Sequence, residues 1–218
     1  IHDVAIQGLP VVMCLDRGGL VGEDGVTHHG VFDMAAFGAV PGLTIAAPMN
    51  EPELRNMMYT ALGSGHPFMI RYPRGHGEGL PWRGEKFETL PVGRGRRLRE
   101  GAAVGTVGNA AARAAGRAAA EGVSVAHYDL RFVKPLDEAL LDEVGRKFRR
   151  VVTVEDGSLR GGVGEAVAAF FNGRGYDVRV QRLGIGDEWV EHGTPGQLYA
   201  LCGYDEEGIL RALLDTRA

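Results

Sequence analysis

Residues 11–33 read VVMCLDRGGLVGEDGVTHHGVFD. The five residues at 11–15 are all apolar and have the length of a buried strand. Immediately after them, residues 16–33 hold three Asp, one Glu, one Arg and two His among five glycines. Titratable side chains on a glycine-rich loop, at the exit of a buried strand, mark the place where an open α/β sheet puts its ligand. This one stretch therefore predicts both the fold class and the working edge of the sheet.

Upstream, Ile1, Val4, Ala5 and Leu9 recur at helical spacing until Pro10. No Ser, Thr, Asp or Asn precedes them as a cap, so the chain is expected to open inside a helix, as the rear part of something longer. A basic region and apolar core of the signal-peptide kind are absent. Downstream, strands are predicted at 43–47, 68–72, 104–107, 123–128, 151–154 and 178–183. Helices are predicted at 32–37, from Pro52 through the apolar face Leu54, Met57, Met58, Ala61 and Leu62, and in the alanine-rich run that follows a turn at Gly108 and Asn109 and ends near Gly122. More follow at 137–144, 165–171, 196–201 and 206–214. Strand and helix alternating at such spacings imply right-handed βαβ units. The expected fold is α/β, with two mostly parallel sheets carrying helices on both faces. Residues 75–101, rich in Gly, Pro and Arg with little periodicity, put the boundary near Leu90, giving units of 1–90 and 91–218.

The 218 residues carry a net charge of −4 and no Lys/Arg block, which argues against nucleic-acid binding. No apolar run reaches the roughly 18–20 residues of a membrane helix. Cys14, mid-strand, is expected in the core, and Cys202 is also in apolar surroundings. Two such cysteines indicate no disulfide framework and fit a reducing cytoplasm. Neither Cys nor His recurs at a metal-ligand spacing, so no metal site is expected on these residues.

Asp24 and His28, four apart and flanked by glycines, read either as a proton-transferring pair or as polar groups on a solvated loop. His29, adjacent, would point its ring elsewhere and is the weaker partner. Arg17 and Arg74 each follow a predicted strand closely. They read either as two guanidiniums converging on a phosphate or carboxylate, or as surface ion pairs with Asp16 or Asp33. Arg71 is expected on another face. Gly161, Gly162 and Gly164 do not fit GxGxxG and suit close helix–sheet packing better than a phosphate cradle. Glu23-Asp24-Gly25 with Asn50 imitates the GDG…N pattern that holds magnesium and diphosphate. Six loop residues, 18–23, separate its Asp24 from Arg17 at the strand exit, so the imitation is set aside.

The run above, followed by APMNEPEL (47–54) and RYPRG (71–75), resembles the 1-deoxy-D-xylulose-5-phosphate synthases of the transketolase-like thiamine diphosphate enzymes. So do VGNAAARAAGRAAAEG (107–122), DLRFVKPLDEALL (129–141) and VTVEDGSLRGGVGEAV (152–167). The resemblance implies a thiamine-diphosphate- and magnesium-dependent cytoplasmic homodimer that condenses pyruvate with glyceraldehyde 3-phosphate and releases CO2, for isoprenoid, thiamine and pyridoxal synthesis. It implies that residues 1–90 are the rear of a pyrimidine-binding domain and 91–218 a transketolase C-terminal-type domain. It assigns Arg17 and Arg74 to the aldehyde's phosphate, and His28 and Asp24 to the reacting oxygens. The glutamate that activates the cofactor, its ring-packing aromatic and the magnesium ligands are expected upstream of Ile1, in the N-terminal part of the same enzyme. Alternatives are the C-terminal subunit of a split transketolase or pyruvate dehydrogenase-type enzyme, or a non-catalytic dimerisation fragment.

Overall fold

The computed structural model describes residues 1–107 and 111–215. The predicted turn at Gly108 and Asn109 lies outside the described residues. In chain order the elements are β1 (Val12–Leu15), α1 (Asp33–Gly38), β2 (Thr44–Ala46), α2 (Glu51–Leu62), β3 (Phe68–Arg71), β4 (Arg96–Arg99), β5 (Val104–Val107), α3 (Ala111–Ala120), β6 (Val125–Asp129), β7 (Phe132–Lys134), α4 (Glu138–Lys147), β8 (Arg150–Ser158), α5 (Val163–Gly173), β9 (Arg179–Ile185), α6 (Pro195–Leu201) and α7 (Glu206–Leu214).

They form two mostly parallel sheets, ordered β1-β3-β2-β7 and β4-β6-β5-β8-β9. In the first, β1, β3 and β2 run parallel, with Leu15 opposite Arg71, and β7 closes the sheet antiparallel to β2. In the second, β6, β5, β8 and β9 run parallel, with β4 antiparallel at the edge. Successive strand residues face opposite layers. Val151 packs with Phe148, Val167 and Phe171, whereas Val152 packs with Ala114, Ala118, Ile209 and Leu213. Two apolar faces per strand account for helices on both sides. In the first sheet, Phe68 and Ile70 meet Met57 and Ala61 of α2, and Met69 joins Val40, Leu43 and Ile45 on the other side.

Helix starts follow local chemistry. Asn50 caps α2 by accepting from the Glu53 amide, with Pro52 in the first turn. Asp137 and Asp205 cap α4 and α7, and Thr194 with Gln197 forms a capping box on α6.

Three expectations need correction. Strand β1 is an edge strand, only half-buried, because among the described residues it pairs with β3 alone. Cys14 is exposed rather than in the core; it shares a strand face with Val12 but stands outside the cluster that Val12 joins. Residues 2–8 form turns rather than a regular helix, with Ala5 and Ile6 amides both donating to the Ile1 carbonyl and Gly8 at φ +64°. An uncapped single turn ending on a left-handed glycine has little to propagate it.

Candidate functional site

The register of β1 on β3 decides the site. With Leu15 opposite Arg71, the chain leaves both strands at the same edge, and Gly18 N–H bonds the Tyr72 carbonyl at 2.9 Å. The loop that follows is pinched shut: Gly19 and Gly30 exchange both backbone hydrogen bonds, at 2.8 and 2.9 Å. At Gly30 a Cβ would lie 2.1 Å from the Arg17 carbonyl oxygen, so only glycine allows the closure. Arg17 itself is held left-handed, at φ +57°.

The structure brings Arg17, Arg74 and Asp24 together. The Arg74 guanidinium donates to Asp24 Oδ2, and Arg17 Nε lies 3.9 Å from the same oxygen while its Nη1 bonds Asp16 at 2.9 Å. All three side chains remain partly exposed, at 39% for Arg17, 47% for Arg74 and 31% for Asp24. Ion pairs this wet contribute roughly 0–1 kcal/mol. Asp24 is a weakly held counter-ion between two cations. His28 is not hydrogen-bonded to Asp24 among the described residues. The two flank one 3-10 turn, Gly25–Thr27, and the exposed His28 ring bonds the Thr27 hydroxyl at 2.9 Å. His29, set aside in the sequence, is a tie to the second sheet. Its Nδ1 accepts from the Val21 amide, which leaves Nε2 to donate to the Val190 carbonyl, each at 3.1 Å.

Behind the loop is a buried polar set that sequence reasoning missed. Arg71 is 8% exposed; it donates to Asp33 at 2.6 Å, to the Gly30 carbonyl at 3.2 Å and to the Asp156 carbonyl at 2.9 Å. The Asp156 carboxylate accepts from the Leu20 amide, Tyr204 and Tyr199, and burial pushes its pKa up against those bonds. Both tyrosines are also raised, chiefly by burial and then by Asp156. Next to it, Glu155 bonds the Val163 and Gly164 amides at the start of α5, yet burial still raises it to about 7. A Cβ on Gly162 would lie 2.2 Å from that carboxylate and one on Gly164 2.5 Å from Thr153 Oγ1, so these glycines serve close packing. A cavity of about 310 Å3 opens here, with Met34, Tyr72, Phe132 and Tyr204 among its walls. Across it, Glu53 of α2 pairs with Arg131 at 2.7 Å and Arg96 at 3.0 Å, linking the two sheets. The one available signal was Glu155-Asp156 ending an apolar strand ahead of a glycine run.

Residues 1–78 match the family model described as Transketolase, pyrimidine binding domain, and residues 102–209 match Transketolase, C-terminal domain. The chain belongs to the transketolase family. Within that family it is similar over its whole length to proteins named 1-deoxy-D-xylulose-5-phosphate synthase. Identity is 56% over 221 residues with that of Bacteroides thetaiotaomicron, covering 98% of this chain and 34% of the relative. It is 44% over 221 residues with that of Aquifex aeolicus, covering 99% and 35%. The chain thus spans about a third of the length of the curated relatives it matches. A solved structure described as "Split gene transketolase, inactive beta4 tetramer" superimposes with a TM-score of 0.81 at 27% identity, covering 96% of this chain and 67% of that one.

The transketolase family uses thiamine diphosphate. The described residues of this chain do not fit its metal–diphosphate end. Asn50 spends its side-chain oxygen on capping α2, and Asp24 is engaged by two arginines. Among the described residues, no group of three or more His, Cys, Asp or Glu is placed to hold a metal ion, and no helix is long and apolar enough to cross a membrane.

Proposed function

We propose that this chain is the substrate-side part of a 1-deoxy-D-xylulose-5-phosphate synthase, a transferase that condenses pyruvate with D-glyceraldehyde 3-phosphate and releases CO2. The observation that carries the reading is the convergence of Arg17 and Arg74, from the exits of neighbouring parallel strands, on a single exchangeable carboxylate. A phosphate dianion offers two such cations more charge and more acceptor oxygens than Asp24 does, so it displaces the carboxylate. Asp24, released, takes a hydroxyl of the aldehyde substrate. His28, exposed beyond the 3-10 turn, donates a proton to the alkoxide oxygen that develops as the new carbon–carbon bond forms. On this reading thiamine diphosphate and magnesium are gripped by the remainder of the enzyme's length, and the working form is a cytoplasmic homodimer.

The test uses a polypeptide that also carries the remaining two-thirds of the relatives' length. Arg17→Ala or Arg74→Ala is expected to raise KM for glyceraldehyde 3-phosphate about ten- to a hundredfold, the loss of one charge-assisted contact, with KM for pyruvate nearly unchanged. Equal effects on both substrates refute the phosphate assignment. His28→Ala is expected to lower kcat; unchanged turnover removes His28 from the chemistry.

The likeness to a split-gene transketolase supports a second reading, the C-terminal subunit of a two-chain enzyme. Turnover of a ketose phosphate donor without CO2 release, in place of pyruvate, selects it. Activity that appears when the remaining two-thirds of the relatives' length is supplied, and is lost in His28→Ala, excludes a purely dimerising role.

A further inference from the structure

We propose that Asp156, on the second sheet, is the positioning residue that holds both ends of the substrate loop and so sets the spacing of Arg17 and Arg74; this rests on reading those arginines as the phosphate clamp. At the start of the loop, the Leu20 amide donates to Asp156 Oδ1 at 2.9 Å, and Gly19 lies so close that a Cβ would fall 1.9 Å from Oδ2. At its end, the Asp156 carbonyl accepts from Arg71 Nη2 at 2.9 Å, and the same guanidinium binds the Gly30 carbonyl at 3.2 Å and Asp33 at 2.6 Å. Arg17 stands two residues before the anchored Gly19, and Arg74 three after Arg71. One residue therefore touches the supports of both cations while touching neither.

The carboxylate is itself aimed. Tyr204 donates to Oδ1 at 2.8 Å and Tyr199 to Oδ2 at 3.3 Å, so rotation about its side-chain bonds breaks at least one contact. A buried carboxylate stabilises a fold less well than an apolar side chain of similar size. What it adds is direction: an acceptor held by two hydroxyls and presented to one chosen amide. Arg17, left-handed at φ +57°, does not relax into that conformation unaided, so the pinning of Gly19 and Leu20 is what presents its guanidinium at the strand exit.

The experiment uses the polypeptide of the relatives' full length. In Asp156→Ala, which removes the carboxylate contacts but keeps the carbonyl that Arg71 binds, amide hydrogen exchange at the anchored start of the loop, residues 19–22, is expected to quicken by about tenfold or more while that of β3 is unchanged. KM for glyceraldehyde 3-phosphate is expected to rise by a similar factor and KM for pyruvate to hold. Asp156→Asn, which keeps an oxygen toward the Leu20 amide and lets Tyr199 turn to accept from its NH2, is expected to restore both. Where Asp156→Ala folds poorly, Tyr204→Phe provides the milder version, with smaller changes of the same pattern. In an Arg17→Ala background, Asp156→Ala is expected to add little to the KM for the aldehyde. Unchanged exchange in the loop, or equal effects on the two Michaelis constants, overturns the proposal. If Arg17→Ala fails to separate the substrates, the phosphate reading falls, and the exchange measurement still decides whether Asp156 holds the loop.

Discussion

Glu155 makes stability depend on pH in an unusual direction. Its carboxylate is 4% exposed, and burial raises its pKa to about 7 despite two amide hydrogen bonds and the nearby charges of Arg71 and Arg182. In the unfolded chain it returns to the usual 4.5. The folded state thus binds the extra proton between those values. Stability is fully present below about 4.5 and is lost as pH rises through about 7. At about 1.4 kcal/mol per pH unit the interval amounts to about 3 kcal/mol. Glu155→Gln removes the titration while keeping an acceptor for one of the two amides. Urea unfolding of both chains at pH 4.5 and pH 8, followed by far-ultraviolet circular dichroism, is the assay. The Gln variant is expected to gain about 3 kcal/mol on wild type between those two pH values. Asp129 and Asp156 are raised as well, also by burial, but they are common to both chains and cancel in the difference. Parallel pH profiles for the two chains refute the argument.

Other perturbations probe separate parts. Asn50→Ala, which deletes the α2 cap, should cost about 1 kcal/mol in urea unfolding. Met57→Ala, at a fully buried side chain between α2 and the first sheet, should cost about 2–5 kcal/mol by the same measure. Gly30→Ala forces a Cβ toward the Arg17 carbonyl; in the full-length polypeptide it should weaken glyceraldehyde 3-phosphate more than pyruvate in steady-state kinetics, while unchanged constants would show that the loop closure is not needed.

Elements with their own periodicity or caps were legible in the sequence. Helix α2 announced itself through Pro52 and a 3.6-residue apolar face, and β8 through a valine-rich run, whereas the Asn50 cap emerged only in the structure. Strands β4 and β7 were not legible. Arg96–Arg99 reads RRLR, a charged stretch that becomes a strand only by lying along the edge of β6. Phe132–Lys134 is three residues long and pairs with β2, more than 80 positions earlier in the chain, which local pattern does not encode. The same limit applies around the loop. Asp24, His28, Arg17 and Arg74 were visible because titratable groups stood on a glycine-rich strand exit. Arg71 was assigned to another face because alternation says nothing of what lies opposite, here Asp33 and the Asp156 carbonyl. The Asp156 carbonyl that accepts from Arg71 is 85 residues away in the chain.

Strand β7 carries a consequence for how the chain is made and cut. It reaches the first sheet only after β4, β5 and β6 of the second have been threaded. Until residues 132–134 have been made, β2 has no β7 beside it and presents an unpaired edge of the kind that can pair with another chain. The same strand acts as a bolt: a protease nick in the irregular 75–90 segment cuts the covalent link but leaves the two fragments joined through β2 and β7.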